Sequence, residues 1–169
     1  MPTTLPAARV ASPTVAPLTS LLHEVTHHCA ALLPMATGCA LSLLTTDGRR
    51  ITSVATNRTG EELSSLCERM PENPCSSAWR DSGVVVAQTL AGSAQWSAWL
   101  AHARSLGIQT VLTSALHAGE RRIGTVSVFS SDPTAFSSTD AGVFAESAAR
   151  VAHRIDACQR FLSRPAIAV

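Results

Sequence analysis

The chain has 169 residues, 46% of them hydrophobic and 15% charged, with a formal net charge of +1. That is the length of one domain with a sizeable core, and the near-neutral balance excludes the electrostatic footprint of a nucleic-acid or acidic-membrane binder. All thirteen basic residues are arginine and there is no tyrosine, which excludes phosphate-loop lysines, Schiff-base lysines and tyrosine acid–base chemistry.

Residues 1–16 carry Pro2, Pro6 and Pro13 without periodicity and read as a flexible N-terminal arm. The fold begins at Pro17, suited to a first helical position. From there Leu18, Leu22, Val25, Cys29 and Leu32 recur at spacings of four and three, an apolar stripe on a helix over 17–33 that Pro34 ends. Two apolar runs, 38–46 and 50–57, flank Asp47-Gly48 and predict a β-hairpin. A short helix comes next, over 61–70. Pro71-Glu72-Asn73-Pro74 is a loop, and Asn73 is placed to cap a helix over 74–81. A strand over 84–88, a helix over 94–106 stopped by Gly107, and a second hairpin of 108–117 with 122–130 complete the middle. The last helix, 139–162, carries a second four-and-three stripe: Phe144, Ala148, Val151, Ile155, Cys158 and Leu162.

The order is α-ββ-α-α-β-α-ββ-α. It predicts an α+β fold: a central, mostly antiparallel sheet of five or six strands, helices on both faces, and the N- and C-terminal helices packed together. The domain is expected to span 17–164, with 165–169 as a tail. Five cysteines is an odd number, and none forms a C-x-x-C pair. Met1–Pro17 has no apolar leader segment, and no apolar run is long enough for a membrane helix. These features imply free thiols in a reducing cytoplasm, with Cys29 and Cys158 packed on apolar helix faces.

Three stretches resemble a known family. The first is the opening helix around Leu21-Leu22-His23-Glu24-Val25-Thr26-His27-His28-Cys29. The second is Glu72-Asn73-Pro74-Cys75, with Gly83-Val84-Val85-Val86 after it. The third runs from Gly107-Ile108-Gln109-Thr110-Val111 to Leu116 and into Arg122-Ile123-Gly124-Thr125-Val126-Ser127-Val128-Phe129. Together they are similar to the GAF domain family, small-molecule sensor domains of signalling proteins. The likeness is greatest to actinobacterial GAF proteins that precede an RNA-binding ANTAR domain. Asn73 stands where such proteins tend to have glycine and Ala115 where they have proline, and the stretch beyond Leu162 is too short for an ANTAR domain. The likeness covers residues 18–158. It implies a GAF/PAS-like fold and a non-catalytic sensor or regulatory module in signal transduction or transcriptional regulation. It implies a pocket between the sheet and the middle helices, with output through the terminal helices. The cofactor is left unknown, and the partners expected are an unidentified small molecule and a second copy of the chain, docked through its terminal helices, with no nucleic acid and no membrane.

Within that frame the ligand-binding candidates are Cys75, Trp79, Trp96, Trp99, Thr113, Thr125, Ser127 and Phe129. The tryptophans lie on the two middle helices, which flank the pocket in GAF domains, and Trp96 and Trp99 share a face. Their competing role is plain packing onto the sheet. Alternation along 122–130 sets Gly124, Val126 and Val128 on one face and Ile123, Thr125, Ser127 and Phe129 on the other. The mixed second set suits a pocket lining.

Other readings stay open. His23-Glu24-Val25-Thr26-His27 matches the zinc-hydrolase pattern H-E-x-x-H. At about 100° per residue, however, His23 and His27 lie roughly 140–180° from the apolar stripe, and no third ligand stands at the expected spacing. They are weak metal candidates against a plain polar helix face. Some GAF domains reduce free methionine-(R)-sulfoxide with cysteine thiols. Cys75 falls near one of their pocket cysteines, but the segment from Trp99 to Gly107, where the attacking cysteine belongs, has none. Cys75 would still sit near a helix N-terminus, which favours a thiolate and a redox-responsive role. His102 and His117 are the candidates for a haem ligand. A pure protein-interaction module, its pocket filled by its own side chains, is the remaining alternative.

Overall fold

The structure, a computed structural model, describes residues 16–88 and 95–164. The expected N-terminal arm and C-terminal tail lie outside the described residues, save for their boundary at Ala16.

The elements keep the predicted order: α1 (Ala16–Leu32), β1 (Gly38–Leu44), β2 (Arg50–Ala55), α2 (Arg58–Arg69), α3 (Pro74–Asp81), β3 (Val84–Gln88), α4 (Ser97–Ser105), β4 (Thr110–Ala118), β5 (Arg121–Ser130) and α5 (Ser138–Leu162). The five strands form one antiparallel sheet in the order β2-β1-β5-β4-β3. Two boundaries differ from the sequence reading for local reasons. Helix α2 starts three residues early because Asn57 caps it, its side chain accepting from the Gly60 N–H at 3.0 Å. Helix α4 starts three residues late because Trp96, placed inside the helix by the sequence, takes a left-handed conformation (φ 60°) at its N-cap position. Part of the expected start of that helix falls on residues outside those described.

One face of the sheet is covered by α1 and α5. Leu22, Val25 and Cys29 of α1 and Phe144, Ala148, Val151 and Ile155 of α5 join Cys39, Leu41 and Leu43 of β1, Leu112 and Leu116 of β4 and Val126 and Val128 of β5 in a single apolar core. Each large aliphatic side chain buried this way contributes about 1.5–3 kcal/mol. The central parts of both stripes are thereby consumed within one chain: Val25 and Ile155 are fully buried and are not free to face a second copy, whereas Cys158 and Leu162, at the end of the second stripe, are half-buried and outside this core. Asp156, also buried, is held by Arg160 at 2.8 Å and by Arg121 at 3.2 Å, the latter tying the β4–β5 hairpin to α5.

A second, smaller core lies on the other face. Leu63 and Leu66 of α2, Trp99, Leu100 and Ala103 of α4, Val111 of β4 and Phe129 of β5 form it. Ile123 corrects the predicted face assignment. Register slips at this point, with Leu116 opposite Gly124 but His117 opposite Arg122, so Ile123 is an extra residue in a β-bulge. It turns into the α1/α5 core beside Val126. Gly124 is required next to it: a Cβ there would lie 2.1 Å from the Ser42 carbonyl oxygen on the neighbouring strand.

Among the described residues, no helix is long and apolar enough to cross a membrane.

Candidate functional site

The second face of the sheet is not filled along its whole length. Beside the Trp99 core, a cavity of about 750 Å³ opens between the sheet and α2 and α3. Its floor is Ala40, Ser42 and Leu44 of β1 with Thr125 and Ser127 of β5. Its roof is Leu63, Ser64 and Cys67 of α2, the linker residues Pro71 and Asn73, and Cys75, Ser76 and Trp79 of α3. The β1–β2 turn, from Thr45 to Arg50, forms one wall, and Arg50 pairs there with Glu68 of α2. Small and hydroxyl-bearing residues on alternate positions of β1 and β5 leave this space; the intervening positions carry the large apolar side chains to the opposite face.

Trp79 joins the roof to the β1–β2 turn. Its indole packs against the turn so closely that a Cβ on Gly48 would meet Nε1 at 3.3 Å, and the Arg122 guanidinium stacks over the ring at 5.8 Å. Gly48 itself has φ 84°, the left-handed conformation the turn requires.

Asn73 organises the roof. Its side chain accepts from the Ser76 N–H and so caps α3 in a capping box. Its amide group donates backwards to the carbonyls of Met70 (2.6 Å) and Cys67 (3.0 Å), at the end of α2. One buried side chain thus locks the end of α2 to the start of α3.

That lock brings Cys67 and Cys75 together, with Sγ atoms 3.4 Å apart. Cys75 Sγ is also 3.4 Å from Ser127 Oγ, which lies 2.8 Å from Thr113 Oγ1. The chain of polar groups therefore runs from α2 through α3 to β5 and β4. Hydrogen bonding from Cys67, and then from Ser127, Thr125 and Thr113, outweighs burial and lowers the Cys75 thiol from 9.0 to about 7. The proton is retained by Cys67, whose pKa is raised well above the usual thiol value, first by its bond to Cys75 and then by burial. The start of α3 adds a favourable helix-dipole field at Cys75.

Of the residues singled out in the sequence, Cys75, Trp79, Thr125 and Ser127 line the cavity. Thr113 stands one layer behind, joined through Ser127. Trp96, Trp99 and Phe129 do not line it. Trp99 and Phe129 are 1% exposed in the second core, and Trp96 donates its N–H to Ser77 Oγ at 3.1 Å, bracing α3 from outside. Here the packing role of these aromatics prevails, because α4 docks beside α2 and not over the floor. His102 on α4 and His117 on β4 also lie away from the cavity. His23 and His27 are exposed on α1, with His27 Nδ1 2.9 Å from the His23 carbonyl oxygen. Among the described residues no three His, Cys, Asp or Glu side chains are grouped to hold a metal ion.

Sequence reasoning assigned Cys67 no role. Its signal was the spacing: eight residues before Cys75 across a proline-flanked helix–helix junction, which returns the chain on itself. Ser42, Ser64 and Arg50 carried no local signal, since a serine on a strand or helix looks the same whether it lines a cavity or faces solvent.

No curated protein matches the chain. Solved structures do. It is similar to a GAF domain/HD domain protein from Geobacter sulfurreducens, at 12% identity and TM-score 0.64, with 89% of this chain and 100% of that one covered. It is also similar to the GAF domain of a two-component sensor histidine kinase from Bacillus halodurans (11% identity, TM-score 0.60, 85% and 97% covered). A third likeness is to the type II free methionine-R-sulfoxide reductase of Thermoplasma acidophilum (13% identity, TM-score 0.59, 86% and 96% covered). At these identities the likeness speaks for the fold alone. The family model described as the GAF domain matches residues 15–156, which takes in every strand and all but the last turns of α5, and the chain belongs to the GAF domain family.

Proposed function

We propose that the chain is a non-catalytic sensor module that binds a small molecule in the cavity under α2 and α3 and passes the change to α1 and α5. The observation that carries this reading is the cavity itself. At about 750 Å³ it has the size of a ligand site, and it combines an apolar lining with a few converging polar groups. Membership of a family found in sensor kinases supports the signalling role. The transmission path is short: Ser42, Thr125 and Ser127 on the floor alternate with Leu41, Leu43, Val126 and Val128, which pack under the terminal helices. A ligand that moves β1 or β5 moves those side chains with them.

A screen of metabolites by thermal shift tests this. A compound present at 100 times its Kd stabilises the folded state by about 2.7 kcal/mol. Ser42→Leu places a large apolar group in the cavity at a half-buried position and should remove the shift while leaving the melting temperature of the free protein nearly unchanged. A compound that stabilises wild type and Ser42→Leu equally would show that the cavity is not the site.

Self-association through the terminal helices belongs to the same proposal, on a basis narrower than the stripes. It rests on the two large apolar side chains that α5 leaves exposed, Val143 and Phe161, which lie eighteen residues apart and so on one side of the helix. Light scattering that finds only monomer at tens of micromolar removes it.

A further inference from the structure

The cavity has a chemistry that ligand sensing does not use. Two free thiols on different helices meet at its roof. Both are partly accessible, whereas Cys29 and Cys39 are fully buried. The end of α2 and the start of α3 are fixed to each other by Asn73, so the thiols are neighbours by construction of the fold. Their 3.4 Å separation has to shorten to the roughly 2 Å of a disulfide. Hydroxyls stand on the far side of Cys75, with Ser127 Oγ 3.4 Å from its sulfur, where they can donate to an oxygen atom held against that sulfur.

We propose that Cys67 and Cys75 are a redox-active dithiol opening on the cavity, in which Cys75 attacks a small hydroperoxide and Cys67 resolves the product to a disulfide. The Cys75 thiolate attacks the terminal oxygen of the hydroperoxide. The O–O bond breaks, the remaining alkoxide or hydroxide takes a proton from solvent and leaves as alcohol or water, and Cys75 becomes a sulfenic acid. Cys67 then attacks the Cys75 sulfur. The S–S bond forms, the S–O bond breaks, and the departing hydroxide carries away the Cys67 proton as water. In forming the disulfide the two thiols give two electrons to the hydroperoxide, which is reduced to alcohol, or water, plus water. The roles derive from position. Cys75 sits in the first turn of α3 with hydroxyls around it, and its pKa, lowered to about 7, keeps a large thiolate fraction at neutral pH. Cys67 holds the proton. This chemistry goes beyond the sensing proposal and does not depend on it, since it requires no resident ligand.

The test treats the intact, reduced protein with stoichiometric hydrogen peroxide, blocks remaining thiols and maps peptides by mass. Arg69 lies between the two cysteines, so trypsin separates residues 59–69 from 70–80, and the disulfide rejoins them. We expect wild type to lose two hydrogens and give that linked pair, with Cys29, Cys39 and Cys158 unchanged. Cys67→Ser should stop at a single added oxygen on Cys75 that dimedone traps. Cys75→Ser should leave Cys67 unoxidised over the same time. Failure to link 59–69 with 70–80 in folded wild type would overturn the proposal, as would Cys75→Ser oxidising Cys67 at the wild-type rate. Linkage by oxidised glutathione but not by peroxide would overturn the assigned oxidant and with it the mechanism.

Discussion

The two faces of the sheet are built from the same strands and behave as different materials. Toward α1 and α5, β1 and β5 present Cys39, Leu41, Leu43, Val126 and Val128, and everything packs. Toward α2 and α3 the same strands present Ala40, Ser42, Thr125 and Ser127, and a cavity remains. Each face also holds an adjacent cysteine pair. On the packed face Cys29 is lowered by hydrogen bonding from Cys39, while burial, and then Cys29, raises Cys39. On the cavity face Cys75 is lowered by Cys67 in the same manner. The electrostatic division of one proton between two sulfurs is therefore not what distinguishes a reactive site. Access is: Cys29 and Cys39 are fully buried, with a hydroxyl neighbour of their own in Ser147, 4.0 Å from the Cys29 sulfur, and the other pair borders open space.

The contrast is broken most severely from the packed face. Ile155→Glu places a carboxylate where Ile155 is 0% exposed, within an apolar core. The cost of an unpaired buried charge, about 3–5 kcal/mol or more, is comparable with the whole stability of a domain of this size. We expect loss of the cooperative unfolding transition by circular dichroism in urea. A folded variant that had merely become monomeric would return the stripe to a subunit interface.

A smaller effect separates the two thiol pairs. With Cys75 lowered to about 7, its thiolate fraction grows as pH rises through that value and shrinks below it. Alkylation of Cys75 by iodoacetamide should therefore accelerate about tenfold between pH 6 and pH 8 and then level off. Cys29 and Cys39 should stay unlabelled in the folded protein throughout. A Cys75 rate that rises roughly eightyfold or more between pH 6 and pH 8 and keeps rising above pH 8 would mean an ordinary thiol, and labelling of Cys39 in step with Cys75 would mean the packed face opens.

The smallest effect tests the outer side of α1. His23→Ala combined with His27→Ala removes two exposed side chains and should change stability by no more than about 0.5 kcal/mol. A larger loss, or stoichiometric zinc on the wild type, would revive a metal role for the H-E-x-x-H segment.

Much of this architecture was legible along the chain. The apolar stripes of α1 and α5, the two hairpins, the Asn73 cap and the element order come from periodicity and turn chemistry, which act within a few residues. The site was half legible. Cys75, Trp79, Thr125 and Ser127 were singled out and do border the cavity, whereas Trp99 and Phe129 were singled out with them and pack into a core instead. Aromatic residues on a helix facing a sheet satisfy both roles equally well until the docking position of that helix is known.

By itself the sequence determined which segments are helices and strands, which face of each terminal helix is apolar, and the likeness that names the family, because hydrophobic period, caps and turns are local properties. Only the tertiary structure decided that α2 and α3, and not α4, roof the cavity, that a bulge turns Ile123 to the opposite face, that Val25 and Ile155 are spent inside one chain, and that Cys67 meets Cys75. Each of those depends on how whole elements dock, and docking is set by the summed complementarity of surfaces far apart in the chain, which no short window of residues contains.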